Sequence, residues 1–130
     1  MPTEFSVNLK DQPGTLGRFA GVLGDAGVNI EAIAGSSREG TTRVQFVCNA
    51  PDRAAKSLET ACIEYTTRDV LIVRVLDEPG TLGDVGLVMA KAGINIDSIY
   101  VTTRGHLVLG VDDLAGAIQV AGGMAVMTPD

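Results

Sequence analysis

The sequence predicts an α+β chain in which one small unit of strands and helices occurs twice. Three observations carry that prediction. Residues 11–33, DQPGTLGRFAGVLGDAGVNIEAI, recur as residues 77–99, DEPGTLGDVGLVMAKAGINIDSI, at a constant offset of 66 residues and without a gap. Each copy is preceded by a strand-like apolar run that ends in a Pro-Gly turn, and a helical stripe follows the turn. The same further segments then follow in each half, which makes the repeat a whole structural unit rather than a hairpin or a helix pair.

The elements follow in order. Phe5, Val7 and Leu9 alternate with polar residues before Asp11, and residues 70–76 are a more continuously apolar counterpart; both read as strands. Leu16, Phe19, Ala20 and Leu23 fall on one stripe at helical spacing, as do Leu82, Val85, Gly86 and Met89. Gly27 and Gly93 stand where a helix C-cap needs a left-handed residue. Second strands begin over 28–34 and 94–102, and third strands run over 42–48 and 107–111. The hairpins between them turn at 38–40 and, more tightly, at 104–105.

A second helix starts near Pro51, which suits a first helical position, and buries Ala55, Leu58 and Cys62. Its twin is capped by Asp112 and buries Leu114, Ala117, Ile118 and Ala121. Short fourth strands close the units at about 64–68 and 124–128. The order βαββαβ therefore occurs twice. That is the ferredoxin-like arrangement, four antiparallel strands with both helices on one face. The predicted domains are residues 1–69 and 70–130.

Composition narrows the function. The chain has 130 residues, 45% of them apolar and 20% charged, the balance of a soluble globular protein. Tryptophan is absent and aromatics are few, which predicts an aliphatic core. Net charge is −6 with no run of Lys or Arg, so no nucleic-acid partner and no anionic membrane surface is expected. No signal peptide and no membrane-spanning run is visible, and a cytoplasmic location is expected. Cys48 and Cys62 fit no paired metal spacing and read as small buried hydrophobes.

Catalysis is not expected either. The only His is His106, beside a hairpin turn, and no Ser or Cys stands in a nucleophile motif. The acidic residues are scattered. No cofactor, no metal and no enzymatic activity are predicted.

What remains is the doubled set Asp11-x-Pro-Gly14-Thr15-Leu16 with Asn29-Ile30, and Asp77-x-Pro-Gly80-Thr81-Leu82 with Asn95-Ile96. Pro-Gly delivers the chain sharply into a helix N-terminus, whose free N–H groups and dipole suit a carboxylate. Asp11 or Asp77, with turn carbonyls, suits an ammonium group. Asn29 and Asn95 donate and accept at once, so either bridges to the same zwitterion. Ordinary turn and cap chemistry accounts for one such copy equally well. Ile30 and Ile33, like Ile96 and Ile99, sit three apart, which breaks strand alternation and predicts a bulge just after each Asn.

At these residues the chain resembles the ACT domain family, and specifically a stand-alone tandem-ACT protein. The pattern Asp-x-Pro-Gly-x-Leu, helix, Gly-Ile/Val-Asn-Ile occurs in both halves. The resemblance implies a regulatory protein that senses a free amino acid at the interface between ACT-like domains. It also implies an enzyme of amino-acid metabolism as partner, and homodimeric, side-by-side pairing. Asp11, Gly14, Thr15 and Leu16 would share a site with Asn95 and Ile96. Asp77, Gly80, Thr81 and Leu82 would share another with Asn29 and Ile30. The alternative is a ligand-free interaction module or a regulatory subunit. The halves differ at Arg18 and Arg43, where the constant offset places Asp84 and Leu109.

Overall fold

The computed structural model describes residues 1–126. The chain divides into two compact units, one spanning Thr3–Arg68 and one beginning at Asp69, with Met1 and Pro2 grouped with the latter. The first contains β1 (Thr3–Lys10), α1 (Thr15–Asp25), β2 (Ile30–Arg38), β3 (Thr41–Cys48), α2 (Pro51–Thr60) and β4 (Thr66–Asp69). The second contains β5 (Leu71–Val73), α3 (Thr81–Lys91), β6 (Ile96–Val101), β7 (Leu107–Val111), α4 (Leu114–Ala121) and β8 (Ala125–Val126). Of the strand expected at 124–128, residues 127 and 128 lie outside the described residues. The sheet orders are β2-β3-β1-β4 and β6-β7-β5-β8. Each unit is thus the predicted ferredoxin-like βαββαβ fold.

Alternation decides what each sheet buries. Phe5 and Val7 of β1 and Val44, Phe46 and Cys48 of β3 face the helices, where they meet Phe19, Leu23, Ala54 and Leu58. The counterpart core joins Leu71, Val73, Leu107 and Leu109 to Val85, Met89, Ala117 and Ala121. The expected aliphatic core holds for the second unit only. In the first, Phe46 stacks on Phe5 at 5.0 Å and meets Phe19 edge-on at 5.5 Å, while Tyr65 leans on Phe5 at 5.5 Å. On the opposite face of that sheet Glu4 is buried, and Arg68 Nε reaches its carboxylate at 2.9 Å. A charge removed from water needs such a partner.

Several expectations are corrected. The strand expected over 70–76 shortens to Leu71–Val73, and beyond it Arg74 N–H still donates to Met124 O at 2.8 Å. The first hairpin has the longer strands but the tighter turn: only Glu39 and Gly40 link β2 to β3, both with positive φ, as a two-residue primed turn requires. The second needs the loop 102–106, in which Thr102 Oγ1 accepts from Arg104 N–H and His106 N–H.

α2 buries Ala54 and Leu58, with Ala55 only partly covered. The helix ends at Thr60, so Cys62 falls in the left-handed exit turn at φ 57° and is exposed. α4 is capped by Asp113, whose side chain accepts from Gly116 N–H, and not by Asp112. It buries Ala117 and Ala121 fully, with Leu114 and Ile118 only partly covered.

Phe46 touches both other phenylalanines, so Phe46→Ala removes the centre of the first core. Loss of about 3–5 kcal/mol is expected, read as a lower urea midpoint.

Candidate functional site

The two Asp-x-Pro-Gly loops fold alike to the level of individual bonds. Gln12 N–H donates to Lys10 O and Glu78 N–H to Leu76 O, both at 2.9 Å. Thr15 N–H reaches Gln12 O at 3.4 Å, and Thr81 N–H reaches Glu78 O at 3.3 Å. The N-cap positions are Gly14 at φ 90° and Gly80 at φ 92°, a left-handed geometry that only glycine takes without strain. Neither cap carries a side-chain hydrogen bond. The helix ladders begin with Arg18 N–H to Gly14 O and Asp84 N–H to Gly80 O, both 3.0 Å. Leu16 and Gly17, like Leu82 and Gly83, therefore have no intrahelical acceptor for their N–H groups.

Thr15 is not a helix cap. Its hydroxyl points back into the loop, to Lys10 O at 2.7 Å and Gln12 O at 2.9 Å. Leu16 and Leu82 are more than half exposed, at 57% and 56%. The carboxylates of Asp11 and Asp77 are exposed, and among the described residues neither makes a hydrogen bond or an ion pair.

Asn29 and Asn95 lead into β2 and β6 two positions past the left-handed Gly27 and Gly93. The backbone of each is held twice. Asn29 N–H donates to Asn49 Oδ1 at 2.8 Å, and Asn49 N–H returns to Asn29 O at 3.1 Å. Asn95 N–H donates to Asp112 Oδ1 at 2.9 Å, and Asp112 N–H returns to Asn95 O at 3.2 Å. The side-chain amides of Asn29 and Asn95 make no hydrogen bond among the described residues. The expected bulges follow: the register shifts between Ile30 and Ala32, and between Ile96 and Ser98. Glu31 and Asp97 are the extra residues, so Ile30 and Ile33 both fall on the helix face, as do Ile96 and Ile99.

Asn49 and Asp112, which hold the backbones of the two Asn residues, are what sequence reading missed at the candidate site. Each stands just past the third strand of its unit, opposite the Asn it holds. The strand register also corrects the comparison of the halves. Cys48 pairs with Ile30 as Val111 pairs with Ile96, so past the hairpin the offset is 63. The counterpart of Arg43 is His106, not Leu109.

Within one unit the loop and the Asn do not meet. Lys10 pairs with Thr41 and Asp11 N–H donates to Gly40 O at 3.0 Å, so the loop sits at the hairpin end of the sheet. Ile30 pairs with Cys48 at the other end. The seven steps between the first and last of the eight residues of β1, at about 3.4 Å each, separate the two ends by about 24 Å. Among the described residues there is no cluster of His, Cys, Asp and Glu that would hold a metal, and no helix long and apolar enough to cross a membrane.

The ACT domain model matches residues 3–60 and 70–118, so the chain belongs to the ACT domain family and carries its fold twice. The solved structure of protein BT0572 from Bacteroides thetaiotaomicron is similar at 21% identity and TM-score 0.84, over 91% of this chain and 84% of that one. The regulatory subunit of aspartate kinase from Thermus thermophilus, in a ligand-free form, is similar at 20% identity and TM-score 0.70, over 92% and 89%. That of Thermus flavus follows at 18% identity and TM-score 0.65, over 92% and 90%. No curated protein matches the chain.

Removing the Asn49 carboxamide frees the Asn29 amide. Asn49→Ala is expected to cost about 0.5–1.5 kcal/mol and to speed hydrogen exchange at Asn29 N–H, with the β2–β3 hairpin amides unchanged. The two thiols should separate as well. Burial pushes the Cys48 thiol up and Glu31 adds to the rise, with a backbone hydrogen bond at Ala50 partly offsetting it. The folded state thus holds this proton more tightly than the unfolded chain, and its contribution to stability is lost as pH rises past the ordinary thiol value of about 8.5. In a disulfide-exchange assay at pH 8, Cys62 reacts rapidly and Cys48 only at the rate of unfolding.

Proposed function

We propose that the protein is an amino-acid-sensing regulator, which takes a free amino acid between the β1–α1 or β5–α3 loop of one ACT unit and the Asn-bearing strand start of another. The observation that carries this reading is the pattern of unspent groups. Both loops leave two helix N–H groups and one carboxylate open, and both Asn residues have their backbones tied while their amides stay free. A zwitterion needs donors for its carboxylate and an acceptor for its ammonium, and each loop offers both.

Each unit holds its loop and its Asn at opposite ends, so one amino acid reaches both only when two units contribute. Asp11, Gly14, Thr15 and Leu16 would act with Asn95 and Ile96. Asp77, Gly80, Thr81 and Leu82 would act with Asn29 and Ile30. β2 and β6 close one edge of each sheet and carry Ile33, Ile99 and Val101 exposed, which suits side-by-side pairing in a homodimer. The likeness in fold to aspartate kinase regulatory subunits supports a role on a partner enzyme of amino-acid metabolism.

A thermal-shift screen of the protein amino acids tests the reading. At one hundred times its dissociation constant a true ligand adds about 2.7 kcal/mol, and Asn29→Ala with Asn95→Ala abolishes the shift while the fold persists. No shift with any amino acid at millimolar concentration, or an undiminished shift in the double variant, defeats it.

A further inference from the structure

The helices of the two units share a fold and differ in surface chemistry. α2 carries Asp52, Arg53, Lys56 and Glu59. At the offset of 63 their counterparts are Ala115, Gly116, Gln119 and Gly122, and α4 has no charged residue. α3 has two, Asp84 in its first turn and Lys91 in its last. Between them stand Leu87 and Val88, both exposed, Leu87 at 62%.

Asp84, Leu87, Val88 and Lys91 follow the spacing i, i+3, i+4, i+7, so they form one stripe along α3. The stripe lies on the side turned away from Val85 and Met89, which the helix buries. All four residues are exposed, and among the described residues neither charged side chain makes a hydrogen bond or an ion pair. The first unit is an internal control. α1 has Arg18, Gly21, Val22 and Asp25 at the same four positions: the charges are exchanged, a glycine replaces the exposed leucine, and the valine is half-buried. The same fold forms there without the apolar centre, so the fold does not require Leu87 at the surface.

We infer that this stripe is a self-complementary docking surface, on which α3 of a second copy of the chain lies antiparallel. Charge selects the occupant. Asp84 and Lys91 are seven residues apart, about 10.5 Å along the helix, and the midpoint falls between Leu87 and Val88. A two-fold axis through that point sets Asp84 against Lys91 of the second copy and Lys91 against its Asp84, with Leu87 and Val88 of both copies between. α1 does not substitute. Laid antiparallel on α3, it sets Arg18 against Lys91 and Asp25 against Asp84, two like-charge contacts. Exposed ion pairs contribute little affinity, so the apolar centre holds the copies together while the charges set register and partner. The contact uses neither a sheet edge nor a β1–α1 or β5–α3 loop, so it stands apart from the amino-acid site proposed above.

Sedimentation velocity of the full chain over a range of concentrations tests it. The wild-type chain should associate reversibly to twice the mass that D84K or K91D reaches at the same concentration. Each of these variants places like charges opposite each other at both ends of the stripe. Mixing the two in equal amounts, or combining D84K with K91D in one chain, makes the ends complementary again and should restore the wild-type mass. Leu87→Gln should halve the mass, and no charge change should rescue it. A wild-type mass no greater than that of the variants, or single variants that dissociate and are not rescued by mixing, would overturn the proposal.

Discussion

β1 and β2 both lie beside β3 and both run antiparallel to it, so they run in the same direction. That single constraint fixes where everything else falls. The loop that leaves β1 and the turn that enters β2 must sit at opposite ends of the sheet, about 24 Å apart at the rise of an extended strand. A free amino acid is far shorter than that. One unit therefore presents a helix-end cradle at one end and an Asn at the other, and offers both to a small ligand only in company with a second unit. Duplication puts two such loops and two such Asn residues into one chain, which is what the proposed shared site requires.

The bulge and the backbone clamp complete this arrangement. A strand that places Ile30 and Ile33, or Ile96 and Ile99, on the same face cannot alternate strictly, and the extra residue, Glu31 or Asp97, absorbs the mismatch. The register next to each Asn is pinned on one side by Ile30 or Ile96, which pack against the core of their unit. On the other it is pinned by two hydrogen bonds from the residue beyond the third strand. Each such bond is worth about 1 kcal/mol net. The cost of ordering the Asn backbone is thus met by folding, and the amide is left for other use. Asn49 and Asp112 do the same work with different charge, since an acceptor oxygen is all the clamp needs.

Most of the fold was legible because it rests on local rules. Periodicity placed the strands and helices, and glycine placed the left-handed turns at Gly14, Gly27, Gly80 and Gly93. What was missed depends on partners far away in sequence or on a choice between neighbours. Asp112 and Asp113 are adjacent, and only the fold shows that the second caps α4 while the first reaches back to Asn95. The helix holding Leu58 ends two residues before Cys62, the last position its apolar spacing implies, which turns Cys62 outward. A constant offset also hid a deletion of three residues at the second hairpin, so Arg43 was matched to a core leucine. The loops and the Asn residues of the candidate site were readable from the repeat; their clamps were not.

The two loops are alike in backbone and unlike in support. The first is held from three directions: Thr15 Oγ1 binds two carbonyls of the loop, Asp11 N–H binds the turn of a long hairpin, and β1 extends to Lys10 beneath it. In the second, β5 ends at Val73, four residues before Asp77. Among the described residues Thr81 makes no matching side-chain bond, and Asp77 N–H has no backbone acceptor. A ligand pays for whatever order it must impose, so equal contacts do not give equal affinity. On the proposed reading, the first cradle meets a ligand already ordered by these bonds, whereas the second has to be ordered by the ligand itself. Two chemically similar half-sites in one chain would then fill at different ligand concentrations, a graded response that identical supports would not give.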